Sequence, residues 1–473
     1  MAQDKLSDYC QTLTSYEWNR LRKYMASPLY NEDERLLTLV ELLAESAKKG
    51  KEEPAPETLW KKIFKTAPFK RAKYNRLRSD TVKKVEHFLV LDRFREQERM
   101  QQNYLLEIMN ERKLLKHVPE FMRFTEKKHE QVTLKDAGYY YLQLQLQQQK
   151  NLYLENRDER SLEKNIEAVL ESADVYYLIQ KLKYTAALLH YKNFLSVEAE
   201  VPLLAEILQH LKKHTYNVPA IAIYHSIILC FTEADNEAHY QRLSKLLSEH
   251  SVIFPTEELK SLFVFAMNYC ITKINYGRQE YLKELLLLYK QALANELLME
   301  EGMLSPWDYK NIITTALRVN ETQWTEQFME EYRMRLPRKE RHNAYTFNRA
   351  RLHFYKKQYE KVLELLQNVK YSDIFYQLDS KTTLLKTYYE LGEELPLQSL
   401  KDSFRILLSR KKLISQQQRE NYLNLARLTY KLFRADVKDR KQIADLQKEI
   451  ESTTNVADKG WLLEKLKEIN HAA

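Results

Sequence analysis

The chain has 473 residues, with 75 Lys/Arg against 66 Asp/Glu and a formal net charge of +9, long enough for two or three ordinary domains or for one array of stacked units. It holds only 6 glycines and 11 prolines, where average usage is about 7% and about 5%, so turns that need a positive φ are scarce. That scarcity argues against barrels, sandwiches and glycine-rich phosphate loops, while 44% hydrophobic residues and 32 tyrosines supply a large core and argue against disorder.

Residues 1–56 read as two short helices, 13–25 and 33–49, separated by the turn Ser27-Pro28-Leu29-Tyr30-Asn31, where proline fixes φ and bars continuation. Leu36, Leu39, Val40 and Leu43 place one apolar face on the second helix. Gly50, Pro54 and Pro56 make 50–56 the most linker-like stretch of the chain. A short helix over 58–65 stops before Pro68, and one long helix is expected from about Arg71 to Lys116. Residues 1–116 are thus read as an N-terminal helical module.

From 117 to 473 amphipathic stretches of helical period alternate with short polar breaks. Ser305-Pro306-Trp307-Asp308 and Ser415-Gln416-Gln417-Gln418 carry the N-cap logic of a hydroxyl followed by an acceptor at N3, and Thr256 opens a helix after Pro255. Val201, Leu204, Ala205, Leu208 and Leu211 share one face, as do Tyr359, Val362, Leu363, Leu366 and Val369. Alternation of period two is confined to 142–147, a turnless run read as helix. First helices of successive pairs are expected near Leu134, Asp174, Val218, Thr256, Ser305, His342, Asp373 and Gln416. Their spacing of roughly 31 to 49 residues is that of two-helix repeats. A single pair cannot bury its apolar face alone and relies on its neighbours.

The segment 344–369, with Ala350 at a small position of its first helix, Tyr359 opening the second and Leu366 facing back, resembles a tetratricopeptide repeat. Val362 and Val369 stand where that family usually has alanine. The unit 382–408 keeps Tyr388 and Gly392 at fitting places, and other pairs match in rhythm. The N-terminal part, with Ser27–Asn31 and Arg76-Leu77-Arg78-Ser79-Asp80, is similar to uncharacterised bacterial helical proteins. The resemblance implies an all-α fold: a right-handed α-solenoid of stacked antiparallel helix pairs over 117–473, following the N-terminal module.

No pattern of chemistry emerges. The two closest glycines, Gly277 and Gly302, are too far apart for any dinucleotide fingerprint, Walker A loop or nucleophile elbow. His210 and His214 are spaced i, i+4 but flank Lys212 and Lys213, whose charges oppose a cation, and no third ligand is near. The acidic pairs Glu257-Glu258, Glu300-Glu301, Glu330-Glu331 and Glu393-Glu394 lie at helix ends, where solvation and the helix dipole account for them. Cys10, Cys230 and Cys270 are too few and too scattered for a disulfide framework or a metal site. No catalytic residue, cofactor or metal is expected. With no secretory signal and no long apolar run, a cytoplasmic protein without a membrane span is expected.

Two surfaces remain. First helices of repeat pairs line the inner face of a superhelix, and tyrosine there offers rigid contact area with a hydroxyl. The candidate partner-binding residues are therefore Tyr140, Tyr177, Tyr184, His190, Tyr224, Arg349, His353 and Tyr388, and the leading expectation is a non-enzymatic adaptor that holds a partner protein or peptide. The second surface is the segment from Lys61 to Arg99, with 13 basic and 5 acidic residues. Lys73, Arg76 and Lys83 share a helical stripe there that could follow nucleic acid phosphates, although Asp80 on the same stripe neutralises its neighbours.

Overall fold

The computed structural model describes residues 4–50, 52–65, 67–157, 162–195, 200–367, 374–410 and 415–472. It is all-α apart from one two-residue hairpin. The chain divides into two compact units, Met1–Thr185 with Val201–Ile221 and Ala186–Glu200 with Ala222–Ala473. The 116/117 boundary read from the sequence instead falls in a turn inside the first unit.

The first unit opens with α1 (Lys5–Thr12), α2 (Ser15–Ala26), α3 (Glu34–Lys48), α4 (Pro56–Phe64) and α5 (Arg71–Glu96). Helix α1 was not expected; Asp4 caps it by accepting from the Leu6 amide, and Leu6 is fully buried. Leu21, Leu39, Leu59, Trp60 and Val85 form the shared core of these five helices. Arg78, off the stripe of Lys73, Arg76 and Lys83, is buried and answered by Asp4, Glu53, Ser7 and Tyr74. It ties the linker-like segment to α5, because a buried guanidinium requires acceptors on every side.

The single helix expected over 71–116 is interrupted. Gln97 leaves helical geometry at ψ 65° between α5 and α6 (Glu98–Glu111), and the Gln101 side chain donates to the carbonyls of Phe94 and Arg95 at 2.7 and 2.9 Å. No glycine or proline marks this break, so hydropathy alone runs through it. Helix α6 packs on α7 (Val118–Glu130) and α8 (Ala137–Glu155), with Asn110 donating to the Gln149 carbonyl at 3.0 Å. The Gln-rich alternating run lies inside α8, as read. Helix α9 (Leu162–Leu195) has 34 residues. The first helix expected to start near Asp174 lies in its middle, with no breaker anywhere in it. The first unit also contains α10 (Leu204–Lys213).

In the second unit the pair rhythm holds. After α11 (Pro219–Thr232) come α12 (Ala238–His250), α13 (Thr256–Asn275) and α14 (Tyr281–Ala294). The antiparallel hairpin of β1 (Met299–Glu300) and β2 (Met303–Leu304) follows, turning at Glu301 and Gly302 with φ of 52° and 77°. Two successive positive φ values define the tight hairpin turn. The remaining helices are α15 (Pro306–Arg318), α16 (Thr322–Tyr332), α17 (Arg341–Tyr355), α18 (Tyr359–Gln367), α19 (Ile374–Leu391), α20 (Glu394–Arg410), α21 (Gln416–Phe433), α22 (Arg440–Ser452) and α23 (Lys459–Ala472). The cap sequences act as expected: Ser305 accepts from the Asp308 amide at 3.0 Å, and Ser415 forms a reciprocal box with Gln418.

Each of α15, α17, α19 and α21 packs against both the helix that follows it and the next helix but one. In the segment 344–369, Ala350 and Val362 are fully buried and Leu366 nearly so; Val369, like Asp373, lies outside the described residues. Valine at 362 therefore fills space where the resembled family has alanine. Phe404, Leu378, Leu385, Leu425 and Leu462 anchor a contiguous core at the C-terminal end of this unit.

Candidate functional site

A cleft of about 1060 Å³ opens within the second unit. Its walls are α15, α17, α19, α21 and α23, together with Lys283 of α14 and the turn at Ala457 and Asp458. Helix α19 supplies Asp379, Thr383, Lys386 and Glu390, spaced i, i+4, i+7 and i+11 along one face. Leu378 and Leu385, on other faces of the same helix, are fully buried. Helix α17 adds Phe347, Arg351, Phe354 and Tyr355, and α23 adds Trp461, Glu464 and Lys465.

The charged groups are arranged around three centres. The Lys310 ammonium reaches Asp379 at 2.7 Å while lying 4.3 Å over the Trp307 ring, and the Tyr422 hydroxyl donates to the other Asp379 oxygen at 3.3 Å. Burial, followed by Asp379, pushes the Tyr422 phenol up. Lys465 is buried between Glu390 and Glu468, each at 2.8 Å. Burial opposes its charge, but these two carboxylates outweigh it and raise its pKa.

Lys386, buried and 5.1 Å over the Trp461 ring, is ion-paired with Asp458. Burial pushes the Asp458 carboxyl upward; Lys386, Arg351 and Arg318 reverse this and hold it below the ordinary aspartate value. Asp458 adopts φ of 49°. Its turn is fixed to α21 by the Ala457 amide, which donates to the Asn421 carbonyl at 3.0 Å, and by Asn424, which donates to the Asn455 carbonyl at 2.9 Å.

The candidate residues read from the sequence lie elsewhere. Arg349 and His353 are on α17 but off the cleft: Arg349 is exposed beside Tyr345, and His353 bonds Gln358 at 2.7 Å. Tyr388, on α19, packs half-buried against the C-terminal core. Tyr224 is buried and donates to Glu258. His190 meets Phe265 edge-on at 5.0 Å, and burial lowers its pKa. Tyr140, Tyr177 and Tyr184 belong to the first unit; Tyr140 is half-buried with its phenol pushed up to about 12 by burial, while Tyr177 and Tyr184 are 44% and 67% exposed.

The cleft residues were missed, and only those of α19 leave a trace in the sequence. A polar stripe of helical period, Asp379–Thr383–Lys386–Glu390, runs along a helix otherwise rich in apolar residues. On the basic segment, Arg76 and Lys83 approach Asp80 at 4.0 and 2.9 Å, and Lys73 lies 4.8 Å over the Phe64 ring. His210 and His214 stack at 4.5 Å, and His210 bonds the Tyr216 hydroxyl at 2.9 Å. No group of three or more His, Cys, Asp or Glu residues able to hold a metal occurs among the described residues, and no helix among them is long and apolar enough to cross a membrane.

No family model, curated protein or solved structure matches the chain. The tetratricopeptide resemblance thus rests on the sequence patterns of 344–369 and 382–408.

Proposed function

We propose that this chain is a non-enzymatic docking protein that holds a segment of a partner protein in the cleft of its second unit. The observation that carries this reading is the cleft itself. Five helices of successive pairs each contribute side chains to one hollow whose lining alternates aromatic rings with charged and hydroxyl groups, the mixture that gives both contact area and directional bonds to a peptide. The stacking of α15 through α23 supports reading this unit as a solenoid of helix pairs; a right-handed sense is part of the proposal. Buried thiols at Cys230 and Cys270 fit a reducing, cytoplasmic setting within the same proposal.

The test is a photoreactive side chain placed at position 355, on the cleft wall, or at position 276, where Tyr276 is 81% exposed away from the cleft lining. A covalent protein adduct formed from 355 and not from 276 supports the proposal. No adduct, the same adduct from both positions, or turnover of a substrate by the purified chain overturns it.

A further inference from the structure

The charges around the cleft do not cancel. Asp379 is answered by Lys310, Glu280 by Arg278, and Lys465 by Glu390 and Glu468; Asp458 takes Lys386. Among the described residues, no carboxylate lies within ion-pairing distance of the remaining cations of the lining, Lys283, Arg318, Arg351 and Lys357, and Glu464 is the one lining acid without a cationic partner. The two arginines instead donate to neutral groups: Arg318 to Gln279 Oε1 at 2.5 Å and Arg351 to Thr314 Oγ1 at 2.6 Å. Each guanidinium has five N–H donors, and one such bond leaves the others available.

These two arginines also converge. Both line the cleft together with Tyr355, Asp458 and Glu464, and Arg351 reaches α15 at Thr314, one helical turn before Arg318; their charges help to hold the Asp458 carboxyl down. They come from α15 and α17, which pack directly on one another, so their separation is set by helix packing. A planar fork matches a carboxylate better than a lysine ammonium does.

We propose that Arg318 and Arg351 form the receptor for a side-chain carboxylate of an acidic peptide segment, and that Asp458 is a built-in electrostatic brake on that receptor. This rests on the docking reading and adds the chemistry of the partner. Asp458 is held in place by a turn bonded to α21, so it stays in the lining that the arginines share and competes by its charge. A bound carboxylate gains two charge-assisted contacts but meets the Asp458 charge within the same cleft. Affinity in the free chain is therefore held down, and any event that removes the negative charge at 458 raises it.

The experiment measures binding of a fluorescent hexaglutamate peptide to the full chain by anisotropy at low and moderate salt. Asp458→Asn keeps the positive φ, which asparagine tolerates well, and removes the charge. Binding is expected to tighten about fivefold. In the Asp458→Asn background, Arg318→Gln or Arg351→Gln should each weaken binding about tenfold, and Arg333→Gln, away from the cleft lining, should leave it unchanged. Hexaglutamine should not bind, and inorganic phosphate should compete poorly.

No gain from Asp458→Asn removes the brake. Equal losses from Arg333→Gln and the cleft arginines, or phosphate competing as well as hexaglutamate, removes the receptor assignment. Thermal melts by circular dichroism verify that each variant is folded, and Arg351→Lys, which keeps charge but not the fork, should fall between wild type and Arg351→Gln. Failure of hexaglutamate on every folded variant, with the 355 photo-adduct intact, sinks the acidic specificity and leaves the docking reading standing.

Discussion

Among the described residues, six helices end in the same pair of backbone bonds, seen at 113, 277, 296, 320, 357 and 392: the left-handed residue donates back three positions and the next residue donates back five. Glycine occupies that left-handed position at 277 and 392, and Lys113, Glu296, Asn320 and Lys357 occupy the others with φ between 54° and 64°. A chain with so few glycines thus ends helices with residues whose Cβ crowds the backbone. Lys113 is exposed, so Lys113→Gly should stabilise the first unit by about 0.5–1 kcal/mol, read as a higher urea midpoint; a lower midpoint contradicts this. His129 carries a pH-dependent contribution of the opposite kind. It stacks on Tyr139 at 4.0 Å, and burial, aided by Arg99 and Lys135, pushes its pKa down to about 4 from 6.5. Below pH 6.5 the unfolded chain takes up a proton that the folded chain refuses, so stability is full above that pH and declines as pH falls toward 4. The loss should reach about 3 kcal/mol, and His129→Phe should flatten that part of the profile.

At the scale of elements, helix identity follows from local signals, but helix faces do not. Arg349 and Arg351 are two positions apart on α17, which turns them about 200° from each other; one is exposed beside Tyr345 and the other lines the cleft. The same step separates Lys386, in the cleft, from Tyr388, at the core edge. A helix that packs on two neighbours has two apolar faces, and amphipathicity cannot say which polar stripe between them meets a cleft. The fully buried Phe404 of α20 shows how strongly such packing counts. Phe404→Ala should cost about 3–5 kcal/mol, seen as a lower denaturation midpoint for the second unit; a change under 1 kcal/mol would mean the site collapses to fill the void.

Across the whole molecule, stability is partitioned. The core around Leu39 and Trp60 and the core around Phe404 share no residue, and a stack of helix pairs transmits destabilisation chiefly to nearest neighbours. Hydrogen exchange of Phe404→Ala should therefore rise across α19–α23 and remain unchanged in α2–α5. Uniform acceleration would show that the chain unfolds as one cooperative block.

The all-α class, the starts of most second-unit helices and their caps were legible from the sequence, because helix hydrogen bonds and i, i+4 contacts are completed within a dozen residues. The break at Gln97 and the burial of Arg78 were not, since they depend on Gln101 and on Asp4 and Glu53. The cleft belongs to this second group. Arg318, Arg351, Lys386 and Asp458 are separated by as many as 140 positions, and their meeting is decided by which helices pack together, a matter of burial summed over several segments rather than of any one segment's pattern.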